Sequence, residues 1–185
     1  MDHSAAAYRR YLDGDDGGLV ELIRDHKDGL TVFICSVTGD LSAAEEIMED
    51  VFFRLAVKKP KFKGKASFKT WLYAIGRNAA LDYVRRRSRY AETPVEEHLN
   101  DVPAGDGPEL IYLKEERDRT LYRCMERLNA DYRQALVLCY FEGLTNVQIA
   151  AVMRKNTRQI ENLLYRAKAA LRTALEKEGI GIEDL

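Results

Sequence analysis

Residues 62–87 read FKGKASFKTWLYAIGRNAALDYVRRR and carry the strongest structural signal in the chain. Ser67 is a favourable helix N-cap, and apolar residues recur behind it at the spacing of one helix face. These residues are Phe68, Trp71, Leu72, Ile75 and Ala79. Polar residues follow on a different face at intervals of three and four, namely Asn78, Asp82, Arg85, Arg86 and Arg89. The stretch predicts an amphipathic helix that begins directly after a basic loop.

The charge around this helix is strongly polarised although the net charge of the chain is only −1. Residues 58–90 contain 11 basic residues and one acidic residue, whereas residues 91–118 contain 9 acidic and 2 basic residues. Lysines around a loop often serve only solubility. Here the loop also holds Phe62, beside a glycine and off any apolar stripe, where a ring can stack on an unpaired base or wall it in. The combination favours phosphate attraction together with some base reading.

A second helix is predicted upstream, over residues 42–58. Ser42 and Glu45 have the spacing of a capping box, and Ile47, Val51 and Leu55 recur every four residues toward a core. Outside that stripe lie Glu46, Glu49, Asp50, Phe53 and Arg54. A solvated acidic face would explain the carboxylates alone. The aromatic residue among them favours a docking surface, because aromatic side chains are enriched at interfaces.

The segment 91–108 interrupts the helical pattern with three prolines, two glycines and several acidic residues. Helical periodicity resumes near Leu110 and continues to about Glu178. We therefore predict an all-α protein with two small helical domains joined by a flexible acidic linker. The C-terminal domain is predicted to contain a helix-turn-helix.

The helix-turn-helix prediction is based on residues that typically end or begin helices and that occur here in the required order. Gly143 suits the end of a buried helix over 136–141, and Thr145 with Gln148 has the spacing of a second capping box. Asn156 or Thr157 then caps a last helix whose inward residues are Ile160, Leu163, Leu164, Ala167, Leu171 and Leu175. Its outward residues near the N-terminal end are Arg158, Gln159, Asn162 and Arg166. In such motifs this end enters the major groove, although a plain helical hairpin would share part of the pattern.

Other classes of protein find little support in the sequence. No segment approaches the roughly 20 apolar residues that cross a bilayer, and the N-terminus lacks the apolar core of a secretion signal. The cysteines Cys35, Cys124 and Cys139 are odd in number and far apart, which predicts a reduced, cytoplasmic protein without membrane insertion. His3, His26 and His98 are distant from one another and none has metal-ligand spacing with cysteine. We expect no catalytic residue, no metal and no cofactor, and hence no enzyme.

The residues resemble those of a known family. Residues 62–87 closely resemble the promoter-melting segment of sigma-70 family proteins, and residues 44–55, AEEIMEDVFFRL, resemble the helix that docks on the polymerase clamp. Residues 144–153 and 164–172 resemble the C-terminal helix-turn-helix of the family. The middle domain of the larger housekeeping members has no room in this chain, so the resemblance is to the extracytoplasmic-function (ECF) group.

The resemblance implies a domain plan and a function. Residues 1–90 would form a region 2-like domain, 91–109 a linker, 110–178 a region 4-like domain and 179–185 a tail. The chain would be a sigma factor that binds core RNA polymerase and recognises the −10 and −35 promoter elements. Its partners would be core RNA polymerase and promoter DNA (duplex at −35, single-stranded at −10). The resemblance allows an anti-sigma factor as a further partner, since such partners usually mask the same surfaces, but the sequence does not reveal whether this chain has one.

The resemblance also implies roles for individual residues. The polymerase-binding set is Glu46, Glu49, Asp50, Phe53 and Arg54. The −10 set is Phe62, Lys63, Lys65, Ser67, Asn78, Arg85, Arg86 and Arg87. The −35 set is Lys155, Arg158, Gln159, Asn162 and Arg166. The sequence departs from the family pattern at Arg154, where a glycine is usual, and at Lys155, Glu161 and Leu163. These departures bear on the −35 sequence that is read, and a stand-alone helix-turn-helix regulator is the alternative function.

Overall fold

The computed structural model describes residues 2–90 and 116–179, and within these ranges all regular secondary structure is α-helical, with the longest connection at residues 59–67. The helices of the N-terminal half (residues 2–90) are α1 His3–Leu12, α2 Asp16–Thr38, α3 Leu41–Lys58 and α4 Phe68–Tyr90. Those of the C-terminal half (residues 116–179) are α5 Glu116–Glu126, α6 Ala130–Tyr140, α7 Asn146–Met153 and α8 Thr157–Lys177. The all-α prediction is confirmed. The predicted linker, the restart near Leu110 and nearly all of the predicted tail lie outside the described residues.

Helix α3 begins slightly earlier than the sequence analysis predicted. Gly39 ends α2 with a φ of 66°, and the next residue, Asp40, caps α3 by accepting a hydrogen bond from the amide of Ala43 at 3.1 Å. The prediction that Ser42 caps this helix is therefore wrong. The carboxylate of Asp40, directly after a left-handed glycine, caps the free amides of α3 two residues earlier than predicted, so Ser42 already lies within the helix.

The N-terminal half is built around α2, which contacts α1, α3 and α4. Leu30 and Ile34 of α2 are fully buried, and the predicted stripe of α3, Ile47, Val51 and Leu55, is buried as expected. Gly18 lets α1 approach α2 closely, because a Cβ at this position would collide with the carbonyl of Ala7. Among the described helices, α2 included, none is both long and apolar enough to cross a membrane.

The C-terminal half has the predicted helix-turn-helix geometry. Thr145 and Gln148 form one capping box at the start of α7, and Asn156 and Gln159 form another at the start of α8. Gly143 has a φ of 62° before α7. The inward residues of α8 are buried as predicted, except Leu163, which is only partly buried. The N-caps of α7 and α8 are thus each completed by a residue three positions further along the sequence.

The two halves pack directly against each other, which the sequence analysis did not predict. α2 lies against α6, and α4 lies against α7. The buried side of α4 accordingly includes Tyr73, Arg77 and Ala80, which lie outside its predicted apolar stripe. Trp71, Ile75 and Ala79 of that stripe are only partly buried. The apolar pattern missed this contact because two of the three buried residues carry polar groups.

Candidate polymerase and nucleic-acid interfaces

The outer face of α3 presents all five residues of the predicted polymerase-binding set to solvent. Glu46, Glu49, Asp50, Phe53 and Arg54 are exposed. Phe53 is 65% exposed, although the opposite face of the same helix is buried. Val57, one turn further on, is 62% exposed and extends the apolar surface. The spacing of four from Phe53 could have revealed Val57 in the sequence. The result is an apolar patch bordered by carboxylates, a composition suited to a protein partner.

The basic loop before α4 exposes its lysines and holds its aromatic ring inward. Lys63 and Lys65 are exposed, and Gly64 has a φ of 67°. Phe62 is partly buried, with its ring centroid 5.6 Å from that of Phe68 and 5.3 Å from that of Trp71. Of the two roles that the sequence left open for Phe62, this placement suits a wall better than a free stacking platform.

Helix α1, which the sequence analysis overlooked, packs against this loop and holds it in place. Tyr8 is fully buried among these rings, and its hydroxyl donates to the carbonyl of Pro60 at 2.7 Å. Asp2 accepts hydrogen bonds from the amide of Ala5 at 3.1 Å and from the amide of Phe68 at 2.6 Å, so one carboxylate caps both α1 and α4. Ser67 also caps α4 as predicted, by accepting from the amide of Thr70 at 3.2 Å.

A cleft of about 260 Å³ lies between α1 and the basic loop. Its lining residues are Asp2, Ala5, Ala6, Arg9, Phe62, Gly64 and Ala66. Arg9 is exposed, and its side chain makes no hydrogen bond or ion pair with any residue in the described ranges. The cleft therefore combines alanine side chains, the Phe62 ring and the unpaired guanidinium of Arg9, beside the exposed lysines Lys61, Lys63 and Lys65. This combination can accept an unstacked base whose sugar-phosphate backbone lies along the lysines.

The arginines at the end of α4 are exposed but not all uncommitted. Arg85 donates to Asp82 at 2.7 Å, and Arg87 lies 3.4 Å from the carboxylate of Asp40. Arg86 donates to the backbone of Asp82. Asn78 is partly buried on the same helix, two turns after Trp71. The helix thus places an amide between the aromatic cluster and a basic end.

Two of the eleven bases counted in this region do not belong to the basic surface. Arg77 is buried and donates to Gln134 at 2.9 Å, and Lys69 lies 2.8 Å from the carboxylate of Glu142. Burial is the main cause that lowers the pKa of Arg77, and the nearby Arg154 lowers it further. The sequence count therefore overstated the positive charge available to nucleic acid by two residues.

The N-terminal end of α8 presents most, but not all, of the predicted −35 set. Arg158, Asn162 and Arg166 are exposed at intervals of four residues. The side-chain oxygen of Gln159 is committed to the capping box, accepting from the amide of Asn156 at 2.8 Å. Lys155 is partly buried and lies 3.2 Å from the carboxylate of Asp131. These contacts leave three side chains fully available for a groove.

Tyr165 was missed by the sequence analysis. It is 79% exposed and lies beside Asn162 and Arg166 on the outer face of α8. Its place one residue after the buried Leu164, on a helix whose inward residues were already assigned, was the available signal. An exposed aromatic ring in a basic surface can pack against a sugar or a thymine methyl group.

One group of residues in the described part of the chain has ligand atoms close enough to hold a metal ion. These are His3, Glu21 and Asp25, whose ligand atoms all lie within 4.8 Å of one another. Glu21 is already paired with His3 at 2.8 Å and also with Arg10. The positive guanidinium of Arg10 opposes a cation at the same carboxylate. These residues are better explained as the surface contact between α1 and α2.

The fold and these surfaces define a helical protein with a cleft beside a basic loop in one half and a helix-turn-helix in the other. Family models agree: the model described as Sigma-70 region 2 matches residues 22–90, and the one described as Sigma-70, region 4 matches residues 118–171. The chain belongs to the sigma-70 family and is a sigma factor of the ECF type.

Individual relatives support this assignment. The ECF RNA polymerase sigma factor SigE of Mycolicibacterium smegmatis is 30% identical over 85% of this chain, which spans 61% of the length of that relative. The RNA polymerase sigma-H factor of Pseudomonas aeruginosa is 28% identical, with 88% of this chain and 89% of the relative covered.

Two solved structures have a similar fold. One is the sigma factor RpoE of Bartonella quintana in complex with the anti-sigma factor NepR, with a TM-score of 0.69 and 20% identity. It covers 84% of this chain and 95% of RpoE. The other is CnrH in complex with the cytosolic domain of CnrY, with a TM-score of 0.62 and 21% identity over 94% of this chain and 95% of CnrH.

Proposed function

We propose that this chain binds core RNA polymerase and directs it to promoters by reading a −10 and a −35 element and assisting strand opening. The observation that carries the proposal is the presence of three separate exposed surfaces on one chain. They are the apolar and acidic face of α3, the basic cleft between α1 and the loop 61–67, and the N-terminal end of α8. A stand-alone regulator would need only the last of these.

The face of α3 is assigned to the polymerase. Its carboxylates would be repelled by DNA, whereas the exposed ring of Phe53 offers a site that a protein pocket can desolvate. Phe53→Ser should weaken binding to core polymerase at least tenfold, measured by fluorescence anisotropy of the labelled chain. Val20→Ser is the matched control, because Val20 is 64% exposed on α2 outside this face. Equal losses in both variants would contradict the assignment.

The cleft is assigned to an unstacked base of the −10 element, with the predicted −10 set around it. Phe62 supplies one wall, and Asn78 supplies an amide that can pair with a base edge. We add Arg9 to the set, because its guanidinium lines the cleft. Arg9→Gln should weaken binding of a single-stranded −10 oligonucleotide in the presence of core polymerase. Arg24→Gln, which removes the same charge from an exposed site on α2, should leave that binding unchanged.

The exposed end of α8 is assigned to the −35 duplex through Arg158, Asn162 and Arg166, with Tyr165 added as a contact. Lys155 and Gln159 remain predicted DNA contacts. We expect them to contribute less to −35 binding, because each already interacts with a residue of this chain. The fold and family fit a transcription initiation factor that is not itself an enzyme and that works in the cytoplasm. By similarity to the solved complexes, its partners include an inhibitor of the anti-sigma class.

The deciding experiment is run-off transcription from a genomic fragment library, using core RNA polymerase with and without this chain. Discrete new start sites are expected, and their upstream sequences would define both promoter elements. If the chain formed no complex with core polymerase but shifted specific duplex DNA in a gel, the stand-alone regulator would be the better description.

A further inference from the structure

A buried carboxylate joins the two halves of the molecule. Glu142, in the loop after α6, accepts a hydrogen bond from the hydroxyl of Tyr73 at 2.6 Å and pairs with the ammonium of Lys69 at 2.8 Å. Lys69 also donates to the backbone carbonyl of Glu142 at 2.8 Å. The side chain of Glu142 is only 8% exposed. A carboxylate this deeply buried is stable only where such partners are provided, and here they come from the other half.

The N-terminal half has a notch shaped for this carboxylate. Gly29 lies in the middle of α2, where glycine costs about 1 kcal/mol of helix stability relative to alanine. A Cβ at Gly29 would collide with the carboxylate of Glu142 and lie 2.7 Å from the hydroxyl oxygen of Tyr73. The glycine has an evident use only when the halves are closed against each other.

Further polar contacts fix the same arrangement. Arg77 and Gln134, from opposite halves, are both buried and hydrogen-bonded to each other at 2.9 Å. Arg133 of α6 donates to the backbone carbonyl of Ser36 in α2 at 2.9 Å. Directional buried contacts of this kind select one relative placement, whereas apolar contact alone would tolerate several.

In the closed arrangement the two proposed DNA-binding surfaces are too close together to bind the −10 and −35 elements at the same time. Gln148 of α7 donates to Ser67 of the loop 61–67 at 3.3 Å, and the start of α8 at Thr157 is only nine residues further along the chain. Nine residues span at most about 30 Å even when fully extended, so with the side-chain contact the start of α8 lies within roughly 40 Å of the loop 61–67. Elements at −10 and −35 are separated by about 25 base pairs, which is roughly 85 Å of B-DNA.

We propose that the free chain closes on itself, with the carboxylate of Glu142 as the latch in the Gly29 notch, and that the latch must open before both promoter elements are engaged. The inference rests on the proposed function for its consequence, but the closed state itself can be tested without polymerase. The C-terminal half thus docks on a surface of the N-terminal half formed by Gly29, Lys69, Tyr73 and Arg77.

Small-angle X-ray scattering of the full chain tests the latch. A closed chain of this length should have a radius of gyration of about 16 Å, and an open one should be several ångströms larger. Glu142→Ala should increase the radius by removing the latch. Gly29→Ala should increase it by filling the notch, while favouring the helix of α2 itself. Glu176→Ala is the control, because Glu176 is exposed on α8 away from the interface.

Circular dichroism shows whether each variant is folded, and Glu142→Gln replaces Glu142→Ala if the latter loses its helical signal. An extended wild type, or folded latch variants with the wild-type radius, would overturn the latch. Run-off transcription supplies the second reading, in which latch variants should reach half-maximal activity at a roughly tenfold lower concentration. If wild type and variants all fail to start transcription, the proposed function fails, and the scattering result still decides the latch.

Discussion

The basic loop of the N-terminal half and the helix-turn-helix of the C-terminal half are built in opposite ways. The turns of the helix-turn-helix are held by neighbours in the sequence, since Thr145 pairs with Gln148 and Asn156 with Gln159. The loop 61–67 is instead held by residues far away, because Asp2 caps the helix that follows it and Tyr8 anchors its start. A locally held site tolerates distant change, whereas a remotely held one depends on the packing of the whole half.

The largest expected effect tests this dependence directly. Tyr8→Ala removes a fully buried ring and its hydrogen bond to Pro60, and it should lower the free energy of unfolding by about 3–5 kcal/mol. Chemical denaturation followed by circular dichroism measures the loss. Tyr8→Phe keeps the ring and should lose only about 1 kcal/mol. Losses of equal size in the two variants would show that the hydrogen bond, not the aromatic packing, supports the loop.

A pair of cap variants sharpens the comparison between remote and local support. Asp2→Ala and Asn156→Ala should each cost about 1 kcal/mol of stability, because each removes a helix N-cap. Their functional effects should differ. Asp2→Ala should weaken −10 strand binding in the polymerase complex, whereas Asn156→Ala should weaken −35 duplex binding. The comparison would fail if Asp2→Ala left binding of the −10 strand unchanged while it destabilised the protein.

Replacing the two non-glycine residues that have a positive φ by glycine should raise the free energy of unfolding, by less than the preceding variants lower it. Arg154 and Lys59 adopt φ values of 54° and 41°, which glycine accepts more easily. Arg154→Gly should stabilise the chain by about 0.5–1 kcal/mol, because it also removes a positive charge near the buried Arg77. Lys59→Gly should stabilise less, because it loses the contact of its ammonium with the Tyr11 ring at 4.6 Å. Thermal unfolding of both variants measures the difference, and destabilisation by Arg154→Gly would contradict the prediction.

The smallest effect concerns pH and should arise in the N-terminal half, since residues 116–179 contain no histidine. Burial lowers the pKa of His26, and Lys69 lowers it further, against the opposing charges of Asp25, Glu142 and Asp2. The folded state therefore binds this proton less readily than the unfolded state. Stability from His26 should be complete above pH 6.5 and should be lost as the pH falls below that value.

Chemical denaturation at pH 7.5 and pH 5.5 measures the change in stability. The variant His26→Gln is the reference, because its pH dependence comes from all the other titrating groups. The wild type should lose more stability than His26→Gln between these two pH values. The hydrogen bond between Ser4 and His26, at 2.8 Å, is shared by α1 and α2, so α1 should loosen first. An identical pH dependence in the two proteins would rule out His26 as the source.

Most of the helix-turn-helix could be predicted from sequence because its signals are short in range. The Thr145 cap, the Gly143 turn and the outward position of Arg158 were predicted and are observed, and of the two caps predicted for α8, Asn156 or Thr157, the structure has Asn156. The start of α3 was predicted wrongly by two residues, because Ser42 and Asp40 are both good caps and only the glycine turn before Asp40 decides between them.

The basic cleft was predicted only in part. The loop, Phe62 and the Ser67 cap were found in the sequence, but the contribution of α1 was not, since Asp2 and Phe68 are 66 residues apart. The count of basic residues also included Lys69 and Arg77, which the structure places in contacts with the other half. Periodicity assigns residues to helix faces but does not reveal which polar face will find a buried partner on another helix.

The sequence by itself determined the all-helical fold, the helix-turn-helix, the exposed face of α3 and the family. These follow from periodicity, capping and local motifs, which involve residues a few positions apart. Only the tertiary structure decided that α1 completes the cleft and that Glu142 enters the notch at Gly29. Both depend on contacts between residues more than fifty positions apart, where a buried charge is stable only if distant partners arrive together.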